Sequence, residues 1–89
     1  MNVDISRAFV KDTAPLPEKF KLVIQEVINE IQIAKVPGDI RDCSKLKGAD
    51  DIYRIRRGVY RVTFQYNNTT ATLKRVLTRG QIYKKHNLK

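Results

Sequence analysis

Phe20, Val23, Ile24, Val27, Ile28 and Ile31 recur at steps of one, three and four, with Glu18, Lys19, Lys21, Gln25, Glu26 and Asn29 falling among them. A helix of 3.6 residues per turn gathers such positions on one side, so the spacing predicts an amphipathic helix with a single apolar stripe facing a core. Pro17 suits the opening of that helix, because a first-turn residue has no intrahelical N–H bond to lose; Pro37 and Gly38 close the segment. Residues 2–5 alternate weakly, as an edge strand does. Ser6 is placed to cap a shorter helix that contains Phe9 and Val10 and ends near Pro15. Residues 38–51 mix Gly, Asp, Ser and Lys with isolated apolar positions, which reads as a connection with at most a turn of structure.

After residue 51 the period changes. Residues 52–57, 59–66 and 71–79 are rich in Ile, Val, Thr, Tyr and Phe, separated by Gly58 and by Asn67, Asn68, Thr69 and Thr70, and they predict a three-stranded meander. In the second of these strands Tyr60, Val62, Phe64 and Tyr66 alternate with Arg61, Thr63 and Gln65. The even positions are therefore expected to pack on the helices and the odd ones to face outward. A hairpin loop of even length then puts Tyr53 and Ile55 on the core face and Arg54 and Arg56 on the outward face with Arg61. A loop at Arg57 and Gly58 sets Arg61 opposite Arg54; a loop at Gly58 and Val59 sets it opposite Arg56. Continuing across the next turn adds Lys74 to the outward patch and places Ala71, Leu73 and Leu77 inside. The same parity drives Arg75 and Arg79 into the core, so either a bulge shifts the register or Arg79 lies past the strand end.

Charge gives this face a meaning. Residues 52–89 carry ten basic side chains and no acid, whereas the nine acids all lie at or before Asp51 beside eight basic residues, giving a net charge of +9. Like charges directly opposed in a sheet destabilise it, yet three guanidinium groups on one pleated face make a receptor for phosphate. The plainer reading is a solvated face charged for solubility. The absence of acids argues against it, since such surfaces normally intersperse both signs. The tail adds Tyr83 flanked by Lys84 and Lys85, an arrangement suited to stacking on an unpaired base while lysines hold its phosphates; the alternative is that Ile82 and Tyr83 anchor the C-terminus.

Composition narrows the chemistry. A chain of 89 residues makes one domain, residues 1–89, with one modest core; a chain of this size buries about 60–65% of the surface it exposes when unfolded. Its apolar runs are too short to cross a membrane and no signal peptide is visible, so a cytoplasmic protein without membrane contact is expected. Cys43 is the only cysteine, which excludes an internal disulfide and a thiolate metal cluster within one chain. His86 titrates in the right range for proton transfer but stands three residues from the end. There is no Ser/His/Asp set, P-loop, dinucleotide fingerprint or metal-ligand cluster, so neither a metal nor another cofactor is expected.

The order of elements, a strand, two helices and an antiparallel meander with a basic face, resembles the RelE/ParE toxins of type II toxin–antitoxin modules. The residues carry the resemblance across nearly the whole chain. Phe9, Val10, Lys11 and Asp12 look like the family's F-x-K-D patch, and Leu46, Lys47 and Gly48 like its L-K-G. The run Tyr53, Arg54, Ile55, Arg56, Arg57, Gly58, Val59, Tyr60, Arg61, Val62 looks like Y-R-I-R-x-G-x-Y-R-V, and Arg79, Ile82 and Tyr83 fit R-x-x-I-Y. The resemblance implies an α+β fold, βααβββ, with two helices packed on a small antiparallel sheet and a short C-terminal segment. It also implies an mRNA interferase: a ribosome-dependent endoribonuclease in which the RNA 2′-OH attacks the adjacent phosphate. The family's functional positions carry over onto Arg54, Arg56, Arg61, Arg79 and Tyr83, with Lys74, Lys84 and Lys85 as RNA contacts. The implied partners are the ribosome, mRNA and a cognate antitoxin, with operator DNA bound only through the antitoxin complex. Arg54 and Arg56 replace the lysines of some relatives, and a guanidinium is a poor general base. Thr78 stands where many relatives have a histidine. A ParE-like inhibitor of DNA gyrase, or an inactive relative acting as corepressor, are the competing readings.

Overall fold

The structure, a computed structural model, describes residues 1–46, 48 and 51–78. Strand β1 (Asn2–Ile5) leads into helix α1 (Arg7–Thr13), and helix α2 (Glu18–Ile33) follows. A 3-10 turn (Pro37–Asp39) precedes β2 (Cys43–Lys45), β3 (Ile52–Arg57), β4 (Tyr60–Asn67) and β5 (Thr70–Thr78). The strands form one sheet in the order β1-β5-β4-β3-β2, with β1 parallel to β5 and the other neighbours antiparallel. The expected α+β architecture and its element order are present. The sheet differs from a pure antiparallel meander in two ways. It is mixed, because β1 joins one edge in parallel, and the segment expected to be a connection contributes β2 to the other edge.

Each helix starts where its sequence directs. The Ser6 hydroxyl accepts a hydrogen bond from the Phe9 N–H (3.2 Å), satisfying one of the donors that a helix start leaves open. Pro17 sits one position earlier than expected, at the N-cap of α2, and its carbonyl accepts from the N–H groups of Phe20 (2.9 Å) and Lys21 (3.1 Å). The α2 stripe buries Ile24, Val27 and Ile31 and half-buries Phe20, Val23 and Ile28. At the far end, carbonyls of Ile31, Gln32 and Ala34 accept from the Met1 ammonium. No helix among the described residues is long and apolar enough to cross a membrane.

The main core joins Phe9 and the α2 stripe to Ile55, Val62, Phe64, Ala71, Leu73 and Val76, with Tyr53, Tyr60 and Tyr66 packed at its margin. The parity of β3 and β4 thus holds. Phe64 is fully buried against Tyr53, ring centroids 5.5 Å apart and nearly parallel. Burying a large side chain in this way contributes roughly 1.5–3 kcal/mol.

On β5 the alternation breaks. Phe64 faces Leu73 but Thr63 faces Arg75, so Lys74 is an extra residue, and a bulge shifts the register there. The shift brings Val76 into the main core and corrects the expectation for Leu77. Leu77 pairs with Arg61 and belongs to a second apolar cluster with Leu46, against which Ile52 packs. The chain order explains the bulge's position. β1 pairs with β5 only as far as Leu73, then Ser6 donates its N–H to Leu73 (3.0 Å) and its hydroxyl to the Lys74 carbonyl (3.1 Å). One serine therefore caps a helix and satisfies the backbone where the ladder is interrupted.

Candidate nucleic-acid interface

The β3–β4 turn decides which arginines meet. Its two loop residues are Gly58 and Val59, and Arg57 pairs with Tyr60. Gly58 has φ +58°, a conformation that tight hairpin turns require and that glycine adopts without a Cβ penalty. Of the two loop placements left open by the sequence, this one sets Arg56 directly opposite Arg61. Arg54, two residues back on the same face, stands between Thr63 on β4 and Ser44 on β2. Arg54, Arg56 and Arg61 therefore share the face turned away from the helices. Arg56 is exposed, while Arg54 and Arg61 are half-buried.

Their side chains are held differently. Arg61 Nη1 donates to the carbonyls of Gly58 (2.8 Å) and Tyr60 (3.1 Å), bracing the guanidinium over the turn. Arg54 Nη2 donates to the Ser44 hydroxyl (3.1 Å), and its Nε is buried with no partner among the described residues. Direct opposition of Arg56 and Arg61 costs stability in the absence of a counter-charge, and two guanidinium forks on one pleat present several N–H donors to a single anion. This face is not uniformly solvated. Thr63 is fully buried and Leu77 nearly so, which makes the arginines part of a structured surface rather than a loose charged fringe.

Two other arginines of the acid-free half are engaged elsewhere. Arg57 Nη2 donates to both Glu30 carboxylate oxygens (2.9 and 3.0 Å), and its Nη1 donates to the carbonyls of Arg41 (3.1 Å) and Arg56 (2.8 Å). Its side chain is only 11% exposed. Arg75 meets Asp12 of α1 through two bonds, Nε to Oδ2 (2.7 Å) and Nη2 to Oδ1 (3.1 Å). The hydrogen bonding of this guanidinium to the Asp12 carboxylate holds it above its already high ordinary pKa. Oδ2 also accepts from the Val76 N–H (2.9 Å), so Asp12 caps β5 beyond the end of β1. The bulge thereby releases Arg75 from the core position that strict parity gave it. Lys74, expected in the outward patch, is the half-buried extra residue of the bulge.

Cys43 faces Ile55 and packs against the core, and burial pushes its thiol up to about 11, with the Arg57 charge opposing the rise. At that value the thiol keeps its proton at neutral pH. No group of three or more His, Cys, Asp or Glu side chains fit to hold a metal occurs among the described residues. Arg79, Tyr83, Lys84, Lys85 and His86 lie outside the described residues, as does Lys47. Sequence reasoning missed Ser44. A three-residue polar strand has no periodicity of its own, and only pairing with β3 brings that hydroxyl to Arg54.

No protein-family model matches the chain. Individual proteins do. Over 84 residues it is 37% identical to toxin RelE3 of Methanocaldococcus jannaschii, spanning 93% of this chain and 96% of that protein. Among solved structures, the RelB–RelE antitoxin–toxin complex from Methanococcus jannaschii contains a chain that superposes with a TM-score of 0.79 at 33% identity, covering 92% of this chain and 96% of the other. The archaeal RelE–RelB complex from Pyrococcus horikoshii gives 0.74 at 28% identity, covering 90% and 96%. Identity at this level over nearly the full length of both chains, together with the shared α+β fold, shows that the chain belongs to the RelE toxin family.

Proposed function

We propose that this protein, as a single domain, is the toxin of a type II toxin–antitoxin module and that it inhibits translation in the cytoplasm by cutting mRNA in the decoding site of the ribosome. The observation that carries the reading is the pairing of Arg56 with Arg61 on the sheet face away from the helices, with Arg54 beside them and no acid in these strands. Relatives named as RelE toxins, and solved with RelB antitoxins, support the toxin role and a cognate antitoxin partner. Binding of operator DNA would then occur only through the antitoxin complex.

The chemistry follows from what arginine supplies. A 2′-hydroxyl attacks the adjacent phosphorus; the O2′–P bond forms as the P–O5′ bond breaks, leaving a 2′,3′-cyclic phosphate and a 5′-hydroxyl. Negative charge grows on the non-bridging oxygens during this step, and fixed guanidinium donors aimed at them stabilise the transition state more than the ground state. Arg61, braced over its turn, and Arg56 opposite it fill that role, with Arg79 joining them. Arg54 clamps the strand, Tyr83 stacks on the displaced base, and Lys74, Lys84 and Lys85 hold phosphates. A guanidinium does not act as a general base, so the rate enhancement rests on electrostatic stabilisation and on the ribosome's orientation of the 2′-hydroxyl.

Purified protein added to translating ribosomes is expected to cut mRNA at the decoding site, seen as new primer-extension stops, while naked RNA is cut poorly. Intact mRNA accompanied by gyrase-dependent DNA damage overturns this reading in favour of a ParE-like inhibitor.

A further inference from the structure

We infer that Ser44 and Arg54 form a second phosphate subsite, one nucleotide step along the RNA from the phosphate held by Arg56 and Arg61. The inference rests on the RNA-cleaving reading above and assigns to it a residue and a strand that the sequence did not.

The geometry begins with β2. Its three residues pair with β3 so that Ser44 lies directly beside Arg54 on the face away from the helices. The Ser44 oxygen accepts from Arg54 Nη2 at 3.1 Å, which leaves the hydroxyl hydrogen free to donate. No acceptor for that hydrogen occurs among the described residues. On the other side of Arg54, Thr63 offers nothing comparable: it is fully buried and its hydroxyl is turned to the Arg75 carbonyl (3.4 Å). Arg54 is thus oriented from one side only. That bond ties one Nη of the guanidinium to the serine, so the remaining Nη donors and the serine O–H lie close enough to serve one anion.

Spacing supports two phosphates rather than one. Arg54 and Arg56 are two residues apart on β3, and a strand advances about 7 Å over that interval, comparable with the step between successive phosphates of an extended single strand. Arg56 has Arg61 as its cross-strand neighbour, and Arg54 has Ser44. Each arginine therefore works with a partner from a different flanking strand, and a bound chain running along β3 meets two pairs in sequence.

The test uses ribosomes programmed with an mRNA that carries a 2′-O-methyl group at the cleavage position, so that binding is measured without chemistry. Ser44→Ala is expected to weaken binding roughly three- to tenfold, the range for one ordinary net hydrogen bond, while Ser44→Thr, which keeps the hydroxyl, restores most of the affinity. In an Arg54→Ala background the serine substitution is expected to add nothing. A methylphosphonate in place of the flanking phosphate is expected to bring the wild-type protein and Ser44→Ala to equal affinity. Unchanged affinity for Ser44→Ala, or a loss fully additive with Arg54→Ala, overturns the subsite. A wild-type protein that binds no programmed ribosome overturns the RNA reading itself, and the subsite with it.

Discussion

Of the six arginines in the acid-free half, five, at positions 54, 56, 57, 61 and 75, lie among the described residues. Arg57 and Arg75 are each grasped by a carboxylate from a helix, Glu30 of α2 and Asp12 of α1, with paired bonds of 3.1 Å or less. Arg54, Arg56 and Arg61 lie on the sheet face turned away from the helices, a face Arg75 shares by register before its side chain turns to Asp12, and there the described contacts include a serine hydroxyl and turn carbonyls. Composition counts all five alike. The fold sorts them: acids from the first half reach across to the sheet at two points and hold two of the arginines, and the other three share a face without either of those carboxylates. A basic sequence is therefore an unsafe guide to how much positive charge a surface offers.

The comparison breaks most sharply at Arg61. Arg61→Ala is expected to lower mRNA cleavage roughly 10²- to 10³-fold, the cost of removing one preorganised transition-state donor, while the thermal midpoint moves by only a few degrees. A collapse of the fold in that variant would place Arg61 with the clamps instead. Next come the clamps themselves. Asp12→Ala removes both bonds to Arg75 and the acceptor of the Val76 N–H; it is expected to cost about 2–3 kcal/mol, read as a fall of roughly 10 °C or more in the thermal midpoint. Cleavage per folded molecule should stay near wild type. Glu30→Ala leaves Arg57 nearly buried without its carboxylate, but the Glu30 side chain is 35% exposed, so a smaller loss of about 1–2 kcal/mol is expected. If either clamp variant abolished cleavage while fully folded, the division between the clamped arginines and the proposed RNA-binding ones would fail.

How much of this was legible depends on whether the cause was local. The α2 stripe, the Ser6 cap and the parity of β3 and β4 follow from short-range periodicity, and each holds. The bulge left a trace as well: Leu73 and Val76 are three apart where an unbroken strand steps by two, so the apolar pattern itself counts the extra residue. Leu77 was misplaced because strict alternation was carried through that point. β2 was not legible, since Cys43, Ser44 and Lys45 carry no apolar alternation and become a strand only by pairing with β3. The partners of Arg57 and Arg75 were invisible for the same reason. Their separations, 27 and 63 residues, are set by how the helices cross the sheet.

Cys43 offers the finest probe of the division, because its thiol senses the Arg57 charge from within the core margin. Burial raises the thiol from its ordinary value of 9.0 to about 11, and Arg57 pulls it partway back. Below pH ~9 the folded and unfolded chains both keep the proton, and the group makes no pH-dependent contribution. As pH climbs from there towards 11, the unfolded chain releases its proton first, so folding loses stability across that window, on the order of 1 kcal/mol after allowing for partial exposure. Cys43→Ala is expected to flatten this alkaline limb. Arg57→Met removes the opposing charge while keeping an unbranched stem, and alkylation rate against pH should then show the Cys43 thiol pushed higher still. An unmoved thiol in that variant would mean that Arg57 does not hold its charge beside Cys43, and the inner clamp would have to be redrawn.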